Sequence, residues 1–541
     1  MRPFLPALLL LIAGCASDPD LVIHNARVFT ADPANECAEA VLIRGERIAV
    51  VGSNDDILAA AGANARLIDA EGRLVIPGLN DAHAHVSPSG PSTRVTWENP
   101  TADPPSALVL DSLRAAVARA PEGQWIDIPV SEAVLNNPQL RRDAVDAIAP
   151  DNPVALAAWS GHGIVYNSAA LAALDVSDSV SDPLGGWFER DADGRLTGRV
   201  DEYAAYALLG RRTGAEDPAV LAGALVGYAN MVSRWGVTSV QNMVTGIPPD
   251  ALADVLTTLD APIRYRFVPW PMSTPAGRDL APWDVLRFSP GSGSFRDGGL
   301  ITVSGIKYIL DGTPIERLAA MRRPYADHPT GGTLNFSVDT LRAILTEALA
   351  SRTQPLFHAV GDSTIATILR VMEEIAPDSA WPPLRLRIEH GDGLAPDLLT
   401  QARRLGIVVV QNPSHFTAVP EITSRLEPER RAGFMPMRSL IEADIPVAIG
   451  SDGPPNPFLN IMFAVMHPVN PAEALTLAQA VRAYTWGSAY AEFAEDERGT
   501  IEPGKLADLA VLSQNIFEIP LEQLPATEAV ITIVAGHPVE W

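Results

Sequence analysis

Six side chains that bind metals well stand at the ends of short apolar runs in this chain: His83, His85, Lys307, His358, His390 and Asp452. After each run come Gly, Asp or other polar residues. Runs of that length read as buried strands that give way to loops. A parallel barrel gathers the carboxyl ends of its strands around one mouth, so residues far apart in sequence meet there. Four imidazoles, one amine and one carboxylate meeting in space describe the activation of water by a pair of metal ions.

The segments between these residues fit a barrel. Strands are expected at 236–242, 263–268, 301–309, 355–358, 384–390, 407–411 and 445–450, with Leu74-Val75-Ile76 leading into His83 as the first. Helical spacing of apolar residues recurs between them, as in Leu341, Ile344, Leu345, Ala348 and Leu349, and in Ile365, Ile368, Leu369 and Met372. Eight strand-then-helix units close a barrel, so the expected class is α/β, a (β/α)8 TIM barrel. At 541 residues the chain exceeds a bare barrel of roughly 250. The surplus has two places. Residues 20–73 and 499–541 are rich in β-formers and turns, and both ends together are expected to build one small β-sandwich. Residues 87–216 interrupt the alternation after the first strand and are expected to form an inserted subdomain over the mouth, leaving 74–86 and 217–498 for the barrel.

Composition narrows the partners. The net charge of −25 repels nucleic acid and anionic lipid, so no nucleic-acid partner is expected. Two cysteines, Cys15 and Cys37, exclude a disulfide framework and a Cys-rich zinc module. One arginine, a greasy run from Phe4 to Ile12 and small residues before Cys15 form a secretory signal. Leu11-Ile12-Ala13-Gly14-Cys15 resembles a bacterial lipobox, which implies a signal over 1–15 and acylation of Cys15. The expected location is the bacterial envelope, at the outer membrane facing the periplasm, with the lipid at Cys15 as the sole membrane contact. A homo-oligomer is compatible with the sequence.

Each candidate residue also has a plainer reading. His83 and His85 are two apart in a strand and face the same side, yet two histidines near a turn are commonly surface residues. Lys307 lies in the apolar Ile306-Lys307-Tyr308-Ile309, where burial near cations makes the neutral amine available to carbon dioxide; its plainer reading is a strand-edge lysine reaching solvent. His358 and His390 end strands but are also acceptable as satisfied core histidines. Asp452 after Ile449-Gly450-Ser451 suits a ligand that moves a proton, or a turn residue. His415 is a candidate for holding a substrate carbonyl or its oxyanion, and equally a loop histidine. For His162, in the insertion, the structural role is the favoured one.

With these residues placed, the chain resembles the amidohydrolase superfamily, and within it the YtcJ-like branch that includes N-substituted formamide deformylases. The resemblance runs through Pro77-Gly78-Leu79-Asn80-Asp81-Ala82-His83-Ala84-His85, Ser160-Gly161-His162 with Asn167-Ser168-Ala169-Ala170-Leu171, Lys307 with Asp311-Gly312, His358 with Gly361-Asp362, Arg387-Ile388-Glu389-His390, Gly450-Ser451-Asp452 and the return through Glu502-Pro503-Gly504-Lys505. It departs at Gln411-Asn412-Pro413-Ser414-His415, where the branch often has Pro directly after Gln. The resemblance implies two zinc ions, His83 and His85 on one, His358 and His390 on the other, a carbamylated Lys307 bridging, and Asp452 as ligand. It implies hydrolysis of a non-peptide C–N bond in a small-molecule amide, with Asp452 carrying the proton. Two rivals stand beside it: a binding lipoprotein on a retired scaffold, and a metal-dependent isomerase or lyase.

Overall fold

The computed structural model describes residues 19–86, 90–97, 104–280, 283 and 299–540. The signal expected at 1–15, with Cys15, lies outside the described residues, as do positions 87–89 and 98–103 of the insertion. Among the described residues no helix is long and apolar enough to cross a membrane.

Alternation of side chains organises the sandwich. Leu21–His24, Ala40–Arg44, Arg47–Gly52 and Arg66–Asp69 make one sheet, with Ala40–Arg44 and Arg47–Gly52 as its hairpin. Arg27–Phe29, Cys37–Ala38, Leu74–Pro77, Leu509–Leu512, Ala529–Val534 and His537–Pro538 make the other. Ile23, Val41 and Ile43 share a core with Val28, Val75, Leu509, Val511 and Ile533. On the reverse face of the first sheet, Val22 and Leu42 pack on Ile57 of the short helix Asn54–Ala60.

Leu74–Pro77 corrects the expected barrel boundary. It pairs parallel with Arg27–Phe29 and antiparallel with Leu509–Leu512, so it is a sandwich strand and not the start of the barrel. The switch falls at Gly78. Its N–H still donates to Asp508, while Leu79 already donates to Gly236 on the barrel side. A Cβ at Gly78 would lie 2.1 Å from Thr238 Oγ1, so only glycine fits the crossing.

Eight parallel strands then follow: Leu79–Ala84, Val237–Met243, Arg264–Val268, Ile301–Val303 continued by Ile306–Ile309, Pro355–Ala359, Arg387–His390, Val408–Gln411 and Val447–Ile449. The fourth is one strand broken at Ser304-Gly305, where Gly305 has φ +77°. Its first half pairs with the third strand and its second half with the fifth. The last strand meets the first through Asp452 N–H, which donates to His83 C=O at 2.9 Å. Helices such as Val338–Ser351 and Asp362–Ile375 cover the outside, the latter burying Ile365, Ile368, Leu369 and Met372. The fold is the (β/α)8 barrel expected.

The insertion holds a six-stranded mixed sheet that the sequence reading, which found only a few helices there, did not foresee. Its order is Gly186–Arg190, Leu196–Glu202, Gly163–Tyr166, Val154–Ala158, Trp125–Val130, Ser92–Arg94. Helix Ser106–Val117 covers part of it, with Val109 and Leu113 on Ile126 and Ile128. Tyr203–Gly214 covers another part through Ala204, Ala205 and Leu208. Glu132 of the insertion pairs with Arg317 and Arg425, which follow the fourth and seventh barrel strands, so the insertion is tied to the mouth.

Candidate metal centre

All six ligand candidates and His415 reach one place at the carboxyl ends of the strands. His83 is fully buried, and its Nδ1 lies 2.6 Å from Glu389 Oε2. The carboxylate takes the Nδ1–H, which leaves the Nε2 lone pair for a cation. Glu389 is itself gripped by Arg387, at 2.8 and 2.9 Å, and the same guanidinium donates to Ala82 C=O at 2.8 Å. Burial would raise Glu389, but the Arg387 charge and the His83 hydrogen bond hold it well below the usual carboxylate range. Thr245 does for His85 what Glu389 does for His83, with Oγ1 at 2.5 Å from Nδ1.

The free nitrogens converge. His83 Nε2 and His85 Nε2 are 3.1 Å apart, and Asp452 Oδ1 is 3.2 Å from the latter. Tetrahedral ligands about 2.05 Å from zinc lie roughly 3.3 Å from one another, so this donor set fits the ion. On the other side, His415 Nε2 is 3.2 Å from Asp452 Oδ2, and His390, whose Nδ1 is held by Asn412, lies with that nitrogen 3.6 Å from the same oxygen. Among the described residues two three-donor groups therefore arise, His83–His85–Asp452 and His390–His415–Asp452, with donors within 4.8 Å of one another. Asp452 belongs to both.

The pair that the resemblance implied for the second ion, His358 and His390, is brought together, and His415 lies with them. His358 sits beside His390, ring centroids 4.5 Å apart, and His415 completes the three-donor group. The reason is local. His358 Nε2 faces Gly312 C=O at 3.3 Å, and Asn412 Oδ1 takes His390 Nδ1 at 2.8 Å. His415 is stacked on His390 at 5.3 Å. Burial lowers His415, but the carboxylates of Asp392 and Asp452 beside its two nitrogens outweigh it and lift it to about 10.

Lys307 is fully buried with Nζ 3.4 Å from His83 Nε2. Burial pulls its ammonium down to about 8, against the opposing charges of Glu389 and Asp452. His83 falls to about 4 through burial and the charge of Lys307. A buried amine so placed reaches its neutral, reactive form near physiological pH. Two of the clustered residues, His390 with φ +70° and Asp452 with φ +38°, hold left-handed backbones, a strain typical of sites whose geometry is over-determined.

His162, read from the sequence as structural, is at the site. Its ring centroid is 5.0 Å from that of His358, and its Nδ1 is 2.9 Å from Glu202 Oε1. Burial pulls His162 down, yet the Glu202 charge and hydrogen bond prevail and lift it to about 9. Glu202, Thr245 and Asn412 had no assigned role in the sequence reading. Glu389 had a weak signal, since Arg387 and Glu389 are charged neighbours on one face of an otherwise apolar strand.

A barrel with a buried, convergent set of imidazoles around one carboxylate defines a metal-dependent hydrolase acting on C–N bonds. The chain belongs to the amidohydrolase family, whose model (Amidohydro_3, "Amidohydrolase family") matches residues 66–540. It is similar to an N-substituted formamide deformylase of Arthrobacter pascens, 28% identical over 96% of this chain and 97% of that protein. It is likewise similar to the putative amidohydrolase YtcJ of Bacillus subtilis (strain 168), 26% identical over 95% of this chain and 98% of that one. Among solved structures, an uncharacterized metal-dependent hydrolase from Pyrococcus horikoshii OT3 shares the fold. Its TM-score is 0.71 at 20% identity, covering 93% of this chain and 99% of that chain.

Proposed function

We propose that this chain hydrolyses a non-peptide C–N bond in a small amide, an N-substituted formamide or a cyclic amide, using two zinc ions. The observation that carries the reading is Asp452, whose two carboxylate oxygens face His85 on one side and His415 on the other. His83, His85 and Asp452 would hold one ion, and His390, flanked by His358 and His415, the other. Lys307, once its neutral Nζ adds to the carbon of carbon dioxide and loses a proton, would supply a bridging carbamate. Bound zinc lowers the pKa of water from 15.7 towards about 7 and polarises a carbonyl. Asp452 accepts the proton of the attacking water and returns it to the leaving nitrogen. The formamide deformylase of similar length supports the bond type.

Elemental analysis of the purified chain should find two zinc ions, and chelation should abolish hydrolysis of N-substituted formamides. A metal-free chain with chelator-insensitive turnover overturns the reading. Asp452→Asn should lower kcat by about 10²–10⁴ with the fold retained, as expected for losing a general acid–base; a near-normal rate removes the proton role. The lipid anchor at Cys15, at the outer membrane facing the periplasm, belongs to the same proposal. Cys15→Ser should move the protein from the membrane fraction to the soluble one, and an unchanged distribution counts against it.

A further inference from the structure

The insertion places one histidine against the metal centre that the ligand set does not use. His162 is only 5% exposed. Its ring lies against that of His358, 5.0 Å between centroids, and His358 in turn lies 4.5 Å from His390. One nitrogen is spoken for. Nδ1 faces Glu202 Oε1 at 2.9 Å and the Tyr206 hydroxyl at 3.3 Å. Nε2 has no hydrogen-bond partner among the described residues.

The support behind His162 is built with care. Glu202 Oε2 accepts from Asn335 Nδ2 at 3.1 Å, and Asn335 belongs to the segment after the fourth barrel strand. The carboxylate therefore bridges insertion and barrel. Glu202 N–H also donates to His162 C=O at 3.3 Å, which ties the two backbones together. Glu202 holds φ +51°, a left-handed backbone for a residue that rarely adopts one. A Cβ on Gly163 next to His162 would lie 2.9 Å from both Asp201 Oδ1 and Leu135 Cδ1, so those side chains would have to shift. From Tyr206 an aromatic wall continues through Trp270, 4.7 Å away, to His85 at 5.9 Å.

We propose that His162 is the substrate-contacting residue supplied by the insertion, an imidazolium paired with the Glu202 carboxylate at Nδ1 that donates Nε2–H to the carbonyl oxygen of the amide, with Glu202 as its positioning residue. The proposal rests on the hydrolase reading above. A ring tethered at Nδ1 by a buried carboxylate has one free polar atom and one orientation. Such preorganisation is what a group aimed at developing charge requires. His162 comes from the insertion and reaches the His358 side of the site, so the insertion contributes to the site as well as being tied to its mouth.

The test uses the full chain loaded with zinc. Two probes are measured: turnover of formanilide, an N-substituted formamide of the proposed substrate class, and calorimetric binding of methylphosphonate, a tetrahedral mimic. For His162→Ala, zinc content should equal that of the wild type, kcat/KM should fall at least 100-fold, and methylphosphonate affinity should fall at least 10-fold. His162→Gln, which keeps a side-chain amide near the Nε2 position, should recover part of both losses, and it decides the matter if the alanine variant fails to fold. Glu202→Gln should lose about 10-fold, mostly in kcat with KM near normal, which a general loosening of the fold would not produce. Wild-type turnover and phosphonate affinity in both His162 variants, within twofold, overturn the proposal while leaving the hydrolase reading intact. A wild-type chain that binds no zinc overturns both. If zinc binds and formanilide is not turned over, the methylphosphonate comparison decides alone.

Discussion

Glu389 shows how much of a metal site lies behind its ligands. Its carboxylate fixes the tautomer of His83 and is itself fixed by a bidentate Arg387. Glu389→Gln keeps the shape and removes the charge. It leaves the fully buried Arg387 facing a neutral amide, and breaking such a pair typically costs about 3–5 kcal/mol. It also releases the orientation of His83, a change that usually weakens metal binding by about 10–100-fold. Competition against a chelator and thermal melting measure the two effects separately. Unchanged metal affinity in a destabilised variant would reduce Glu389 to a structural partner. The ligand candidates were legible because they lie in or at the ends of apolar strands, and the carboxyl ends of strands are where such barrels converge. The helpers were not, because Thr245, Asn412 and Glu202 meet their histidines only after distant strands and the insertion have docked. His415 shows the same limit, since the carboxylate and ring that fix its direction come from other strands.

At the scale of elements, the closing seam between the eighth and first strands decides whether the ligands meet. Gly450 lies flat against His83, and a Cβ there would come within 2.4 Å of the His83 backbone nitrogen. Backbone does not yield as a flexible side chain does, so the strands must separate. Gly450→Ala should destabilise the chain by about 1–3 kcal/mol, as overpacking does. It should also lower zinc content, because Asp452 and His83 are joined across this seam by the 2.9 Å backbone hydrogen bond. Melting temperature and zinc stoichiometry check it, and a variant with normal metal content shows that the seam tolerates movement. The helices and most barrel strands were readable from their period. Leu74–Pro77 was misplaced because a short apolar run carries no record of its partner, and its partners lie at both ends of the chain. The insertion sheet was missed for the same reason. Its antiparallel strands, Val154–Ala158 and Gly163–Tyr166 among them, are short and largely buried, so they lack a clear alternation.

At the scale of the molecule, the insertion is held to the barrel by four charges in a ring. Arg317 pairs with Asp327 at 2.6 Å and with Glu132 at 3.1 Å, and Arg425 pairs with Asp327 at 2.7 Å and with Glu132 at 3.3 Å. Hydrogen bonds from Arg317, with the charge of Arg425 added, pull Asp327 down from its ordinary 3.8 to about 2. The sign follows from that direction. A carboxyl whose folded value is depressed favours folding above its unfolded value, and the contribution fades as pH falls through the folded one. Asp327 should therefore keep its place in the ring above about pH 4 and lose it between 4 and 2, after Glu132, which burial raises and which takes up its proton at higher pH. Asp327 is partly open to solvent, so its contribution is about 1 kcal/mol, well below what the shift alone suggests. Asp327→Asn should accordingly melt below the wild type at pH 6, by no more than about 2 °C in a chain of this size. The gap should narrow as the buffer approaches pH 3. A gap that stays constant over that range would mean that Asp327 acts through packing, and that the insertion is held over the site by contacts other than this ring of charge.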